Sequence, residues 1–135
     1  MSTRTIVDHH DGHGLAEKII IEADEPGPGG ASHRYRVCVD LEPHEAPECG
    51  GGPAWEEVAK IQYQKGPRHE AGSTVGVLDS VLLAIVADRM RAFQAGPFSC
   101  RENALVLTKV EEALHWLKHR ADARAKRGVL GKNEK

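Results

Sequence analysis

Hydrophobic positions recur at intervals of two in the first half of the chain and at intervals of three and four in the second. Residues 17–23 hold the β-branched run Ile19-Ile20-Ile21, followed by the turn-forming Asp24-Glu-Pro-Gly-Pro-Gly-Gly30. In residues 34–41, Tyr35, Val37, Val39 and Leu41 alternate with Arg34, Arg36, Cys38 and Asp40, the period of a strand with one buried face. Residues 42–53, with their prolines and three consecutive glycines, read as a long loop. Residues 55–64 alternate again through Trp55, Glu57, Ala59, Ile61 and Tyr63. Three strands so spaced predict an antiparallel meander over residues 1–72.

After Gly66-Pro67 the period changes. Val81, Leu82, Ile85, Val86, Met90 and Phe93 fall on one helical face from Asp79 onwards, and Gly96-Pro97 ends that helix. Ser99 with Glu102 spells a capping box. A second helix then follows through Leu107, Val110, Leu114, Leu117 and Ala121 to about Lys126, and Gly128 stands where a helix stop belongs. The five-residue turn makes the two helices an antiparallel hairpin. The expectation is an α+β fold in one domain, with a β-rich part at 1–72, a helical hairpin at 79–128 and a tail at 129–135. The second helix, at 1.5 Å per residue, reaches about 40 Å and outruns the first. With Phe98, Trp116 and Leu117 it leaves more apolar surface than a small meander covers, which predicts a homo-oligomer joined through the helices.

Composition narrows the class. Of 135 residues 40% are hydrophobic, yet only six are aromatic and fourteen are glycine, so the core is aliphatic and small. No apolar run nears the roughly 18 residues of a membrane span, and none follows Met1-Ser-Thr-Arg4 to act as an export signal. Cys38, Cys49 and Cys100 are odd in number and lack a C-x-x-C pair, which speaks against a disulfide framework or a cysteine zinc site. A cytoplasmic protein is expected.

Charge is unevenly placed. Residues 118–135 hold seven Lys/Arg against two acids, and the other 117 residues hold eleven against eighteen. A basic tail on an acidic body points to an anionic partner. Arg120, Arg124 and Arg127 share one helix stripe, and guanidinium forks suit bidentate phosphate binding; cations near a helix C-terminus are also favoured by its dipole alone. Phe93 and Asn103 flank the interhelical turn, where a ring that stacks on a base and an amide that bonds its edge make a minimal nucleotide reader. An ordinary core phenylalanine and a first-turn polar residue fit the same positions. His9, His10, Asp11 and His13, and separately His115 with His119, have some metal-ligand spacing but no third and fourth ligands in sequence, so no metal or cofactor is expected. No catalytic motif is present: neither H-E-x-x-H, nor G-x-S-x-G, nor a Gly-rich loop ending in Gly-Lys-Ser/Thr. The alternative to small-molecule binding is a dimeric nucleic-acid-binding regulator using the basic C-terminal helix.

Residues 82–104, with Asp88-Arg-Met-Arg-Ala-Phe93 and Gly96-Pro-Phe-Ser-Cys-Arg-Glu-Asn103, resemble the helical hairpin of the phage Thoeris anti-defence protein family. So do Val110-Glu-Glu-Ala-Leu-His-Trp-Leu117 and Arg127-Gly-Val129. Gln62-Tyr-Gln-Lys-Gly-Pro-Arg-His-Glu-Ala-Gly72 and residues 29–35 are similar to that family's N-terminal β part. The hairpin is shared with anti-CBASS sponges. The resemblance implies a non-enzymatic viral sponge that sequesters cyclic nucleotide immune signals, glycocyclic ADP-ribose first and cyclic oligonucleotides in separate pockets of a hexamer. It implies that Phe93, Asn103 and Arg68 contact glycocyclic ADP-ribose, and that Arg120 and Arg124 meet cyclic-oligonucleotide phosphates. Ser73-Thr-Val-Gly76 departs from the family's usual Val-Asn-Gly turn, and Gly128-Val-Leu-Gly-Lys132 from its Gly-Val-Glu-Gly-Thr ending.

Overall fold

The computed structural model describes residues 3–41 and 55–132. The loop expected at 42–53, Cys49 and the end of the tail lie outside them. The chain divides into two compact units, Met1–Lys65 and Gly66–Lys135, and each is treated by itself.

The first unit is an antiparallel sheet of four strands in sequence order: β1 (Arg4–Ile6), β2 (Ile19–Ala23), β3 (Arg34–Asp40) and β4 (Trp55–Gln62). The meander is as expected, but β1 is additional. Three residues with only one large apolar side chain carry no readable period, and β1 exists because Ile6 pairs with Ile21 and Arg4 with Ala23. Cross-strand pairing puts Ile19, Ile21, Val37, Val39, Ala59 and Ile61 on one face, all half-buried, with Ala23 fully buried beside them.

β4 does not keep the strict alternation that its sequence suggests. Ala59 pairs with Val37 but Glu57, not Val58, pairs with Cys38, so Val58 is the extra residue of a β-bulge. An unbroken strand would turn Glu57 onto the apolar face with Ala59 and Ile61. The bulge sends its carboxylate to the opposite face, where Arg36 Nε donates to Glu57 Oε2 at 2.6 Å and Glu22 lies 3.8 Å from the same guanidinium.

The second unit holds α1 (Asp79–Ala95) and α2 (Arg101–Lys126), packed as an antiparallel hairpin. Ala87 is fully buried and lets the helices approach, and Arg91 reaches Glu111 across the pair at 3.2 Å. The capping box is not used. The cap of α2 is Cys100, one residue beyond Ser99, with its Sγ accepting from Asn103 N–H at 3.4 Å. Gln94 Oε1 of α1 accepts the Cys100 N–H at 3.0 Å, doing the work that the capping box assigns to a glutamate three residues into the helix. α2 exceeds α1 by nine residues, about 13 Å. Leu78, Val81 and Ile85 form an exposed apolar stripe on and just before α1, and Trp116 is 59% exposed on α2.

The C-terminal end is ordered as a Schellman cap. Val129 N–H donates to the Arg124 carbonyl at 3.0 Å and Gly128 N–H to the Ala125 carbonyl at 3.1 Å, the two bonds that satisfy a helix's orphan carbonyls. Gly128 takes the left-handed conformation this turn requires, at φ 73°. Val129, the residue after it, is buried.

Candidate functional site

The expected nucleotide-reading pair lies at the hairpin tip. Phe93, in the last turn of α1, is half-buried. Gly96 N–H donates to its carbonyl at 3.2 Å, at the C-cap that ends the helix. The Arg89 guanidinium, one turn earlier, sits over the Phe93 ring at 5.4 Å from the centroid. Asn103 opens α2, its backbone tied to Cys100 and its Nδ2 donating to the Phe98 carbonyl at 3.5 Å. That distance is at the outer limit of a hydrogen bond, so the amide is weakly committed. The ring and the amide therefore border one interhelical turn, beside an aromatic, Phe98, that is 73% exposed. An aromatic face, an amide and a guanidinium together suit a base and a phosphate.

Arg89 and Gln94 were not singled out from sequence. The signal for Arg89 was its four-residue spacing to Phe93, which places any cation over a ring one helical turn away. Gln94 carried no signal, because its partner is a backbone N–H across a turn.

The arginines expected to meet phosphates lie at the other end of α2. Asn103 and Arg120 are separated by 17 positions, roughly 26 Å of helix, so a single chain cannot bring the two sets together. Arg120 is exposed and makes no hydrogen bond or ion pair among the described residues. Arg124 is half-buried, and its Nη2 donates to the carbonyls of Val129 at 3.0 Å and Lys132 at 2.6 Å. Lys118 pairs with Asp122 at 2.9 Å, and this hydrogen bond and charge hold the Asp122 carboxyl below its ordinary range. The basic stripe is thus partly engaged within the chain.

Arg68 is exposed in the turns between Gly66 and α1, and no bond among the described residues ties it to Phe93 or Asn103. The turn around it is tight: a Cβ on Gly66 would come within 2.5 Å of Ser73 Oγ, and His69 has φ 71°.

The histidines have other roles. His9 Nε2–H donates to the Ile19 carbonyl at 2.6 Å, and His115 and His119 each meet the Trp116 ring in a T-shaped arrangement with centroids 5.7 Å apart. Among the described residues no three His, Cys, Asp or Glu converge as metal ligands. Glu17 closes the His-rich loop instead, accepting the backbone N–H groups of Asp11, Gly12 and Gly14. These bonds, Gly12's foremost, lower its pKa. None of the described helices is long and apolar enough to cross a membrane.

A four-stranded antiparallel meander followed along the chain by a two-helix hairpin makes this an α+β protein. Residues 56–121 match the Acb2/Tad1 hairpin domain. Over 79 residues it is 46% identical to Thoeris anti-defense 1 of Bacillus phage SBSphiJ7. That alignment covers 58% of this chain and 55% of the relative, so the match spans about half of the relative's length.

Proposed function

We propose that this protein is a non-enzymatic anti-defence sponge. It binds and withholds cyclic nucleotide immune signals in the cytoplasm of an infected bacterium, glycocyclic ADP-ribose at the hairpin tip and cyclic oligonucleotides at the basic end of α2. The observation that carries the reading is the match of residues 56–121 to this hairpin domain, in which Phe93 stands in the last turn of α1 and Asn103 in the first turn of α2. The relative's name, Thoeris anti-defense 1, supports blockade of Thoeris immunity; capture of a second class of cyclic nucleotide, and with it an effect on CBASS, belongs to the proposal through the resemblance of the hairpin.

In this reading a base stacks on Phe93, its edge bonds to Asn103, and phosphate charge is met by Arg89 and by Arg68 from another copy of the chain. Arg120 and Arg124 meet the phosphates of cyclic oligonucleotides. A homo-oligomer, dimer or hexamer, is supported by the exposed stripe of Leu78, Val81 and Ile85 and by exposed Trp116, apolar surface that a single chain leaves in water. No cofactor takes part.

The test is recovery. Protein saturated with glycocyclic ADP-ribose is washed, denatured and its ligand analysed by mass spectrometry; intact ligand in stoichiometric amount is expected. A cleaved product would replace the sponge by a hydrolase.

A further inference from the structure

The start of α2 is closed from α1 instead of from within its own first turn. With Cys100 as the cap of α2, Asn103 stands at the third helical position. In a capping box the side chain at that position reaches back to the N–H of the cap residue. Here Gln94 Oε1 of α1 accepts the Cys100 N–H at 3.0 Å, and the Asn103 side chain is not spent on it. Its Nδ2 donates to the Phe98 carbonyl at 3.5 Å, and among the described residues its Oδ1 accepts no hydrogen bond.

Cys100 is held at all three of its polar groups. Its N–H goes to Gln94, its Sγ accepts the Asn103 N–H at 3.4 Å, and its carbonyl accepts the Ala104 N–H at 3.2 Å. Two of these partners lie in α2, and Gln94 is the one on α1. Gln94 also directly follows Phe93. One side-chain bond therefore joins the end of the helix that carries Phe93 to the first turn of the helix that carries Asn103. The Arg91–Glu111 ion pair crosses the hairpin too, but both side chains are about half exposed, where such a pair holds little. Glu111 is also eight positions beyond Asn103, roughly 12 Å of helix.

We infer that Gln94 is a positioning residue of the hairpin-tip site: by accepting the Cys100 N–H it leaves the Asn103 amide for the polar edge of a ligand and ties that amide's helix to the end of α1 that carries Phe93. Binding then bears less of the cost of ordering the two. This rests on the proposed glycocyclic ADP-ribose site at Phe93 and Asn103.

Gln94→Leu tests it without altering charge, since leucine is a good helix former and keeps apolar contact at a half-buried position. Three quantities are read in the full-length protein: amide exchange at Cys100, the side-chain amide resonances of Asn103, and affinity for glycocyclic ADP-ribose by calorimetry. The expectation is faster exchange, displaced Asn103 resonances and affinity weaker by about 2- to 10-fold, the range that one hydrogen bond carries. Gln94→Glu keeps an oxygen acceptor and restores the protection of the Cys100 N–H; failure to do so overturns the acceptor's role. Glu111→Gln breaks the other crossing pair and leaves all three readouts as in the parent. Equal losses of affinity in Gln94→Leu and Glu111→Gln would make Gln94 a brace of the hairpin and overturn the inference. Binding by the parent that Gln94→Leu does not weaken overturns the inference alone, whereas a parent that does not bind glycocyclic ADP-ribose removes the proposed site and the inference with it.

Discussion

Replacing Phe93 by leucine isolates the ring's electronic contribution from its volume. In the unliganded chain the ring's neighbour is the Arg89 guanidinium at 5.4 Å from the centroid, an attraction worth about 0.5–1 kcal/mol near the surface. The side chain is half-buried; Phe93→Ala would forfeit roughly half of the 3–5 kcal/mol typical of a fully buried phenylalanine, and would confuse lost stability with lost binding. Leucine keeps most of the apolar contact, so the variant should be less stable by little more than the cation–π energy. A base stacked on the ring contributes about 1–3 kcal/mol, so the variant should lose roughly 5- to 150-fold in affinity for glycocyclic ADP-ribose. Calorimetric titration gives the affinity, and thermal unfolding and light scattering establish that fold and oligomer persist. A Phe93→Leu protein that binds as tightly as the parent would remove the ring from the site.

The other expectations concern separate parts of the molecule. Arg120→Ala should impair cyclic triadenylate binding and reduce its salt dependence while leaving glycocyclic ADP-ribose binding intact; equal losses for both would merge the two pockets. Ile85→Glu places a carboxylate in the exposed Leu78, Val81, Ile85 stripe, so multi-angle light scattering should show smaller species, and an unchanged mass would place the interface elsewhere. Glu17 has a lowered pKa because the folded loop bonds its charged form; its contribution is complete above the ordinary glutamate range and is lost as pH falls through the depressed folded value. Glu17→Gln should therefore reduce amide-exchange protection of Gly12 and Gly14 at neutral pH and flatten its acid dependence. Parent-like protection across that range would contradict the assignment.

Much of the hairpin was legible because its signals are local and redundant. Apolar residues at three- and four-residue intervals, Gly96-Pro97 and Gly128 each mark the same boundaries. The errors came where a tertiary bond overruled a local one. Ser99 with Glu102 has capping-box spacing, but Gln94 takes the Cys100 N–H from across the turn and moves the cap by one residue. In β4 the alternation from Trp55 to Tyr63 is real in sequence, yet the attraction between Glu57 and Arg36 and the apolar face beside Ala59 favour a bulge at Val58. β1 is too short to carry a period and is defined by its partner strand. Phe93 and Asn103 were placed at the tip by helix boundaries alone. The engagement of Arg124 was hidden, because its partners are backbone carbonyls in a turn that sequence patterning presents as a tail.

The central claim is sequestration by equilibrium binding, and calorimetric titration of the purified protein with glycocyclic ADP-ribose, cyclic triadenylate and a duplex DNA control tests it most directly. The account predicts saturable, tight binding of the first two at distinct stoichiometries, with each ligand recovered intact from the denatured complex. Flat traces for both, with DNA binding that weakens steeply as salt is raised, would contradict it and make the basic end of α2 a nucleic-acid surface.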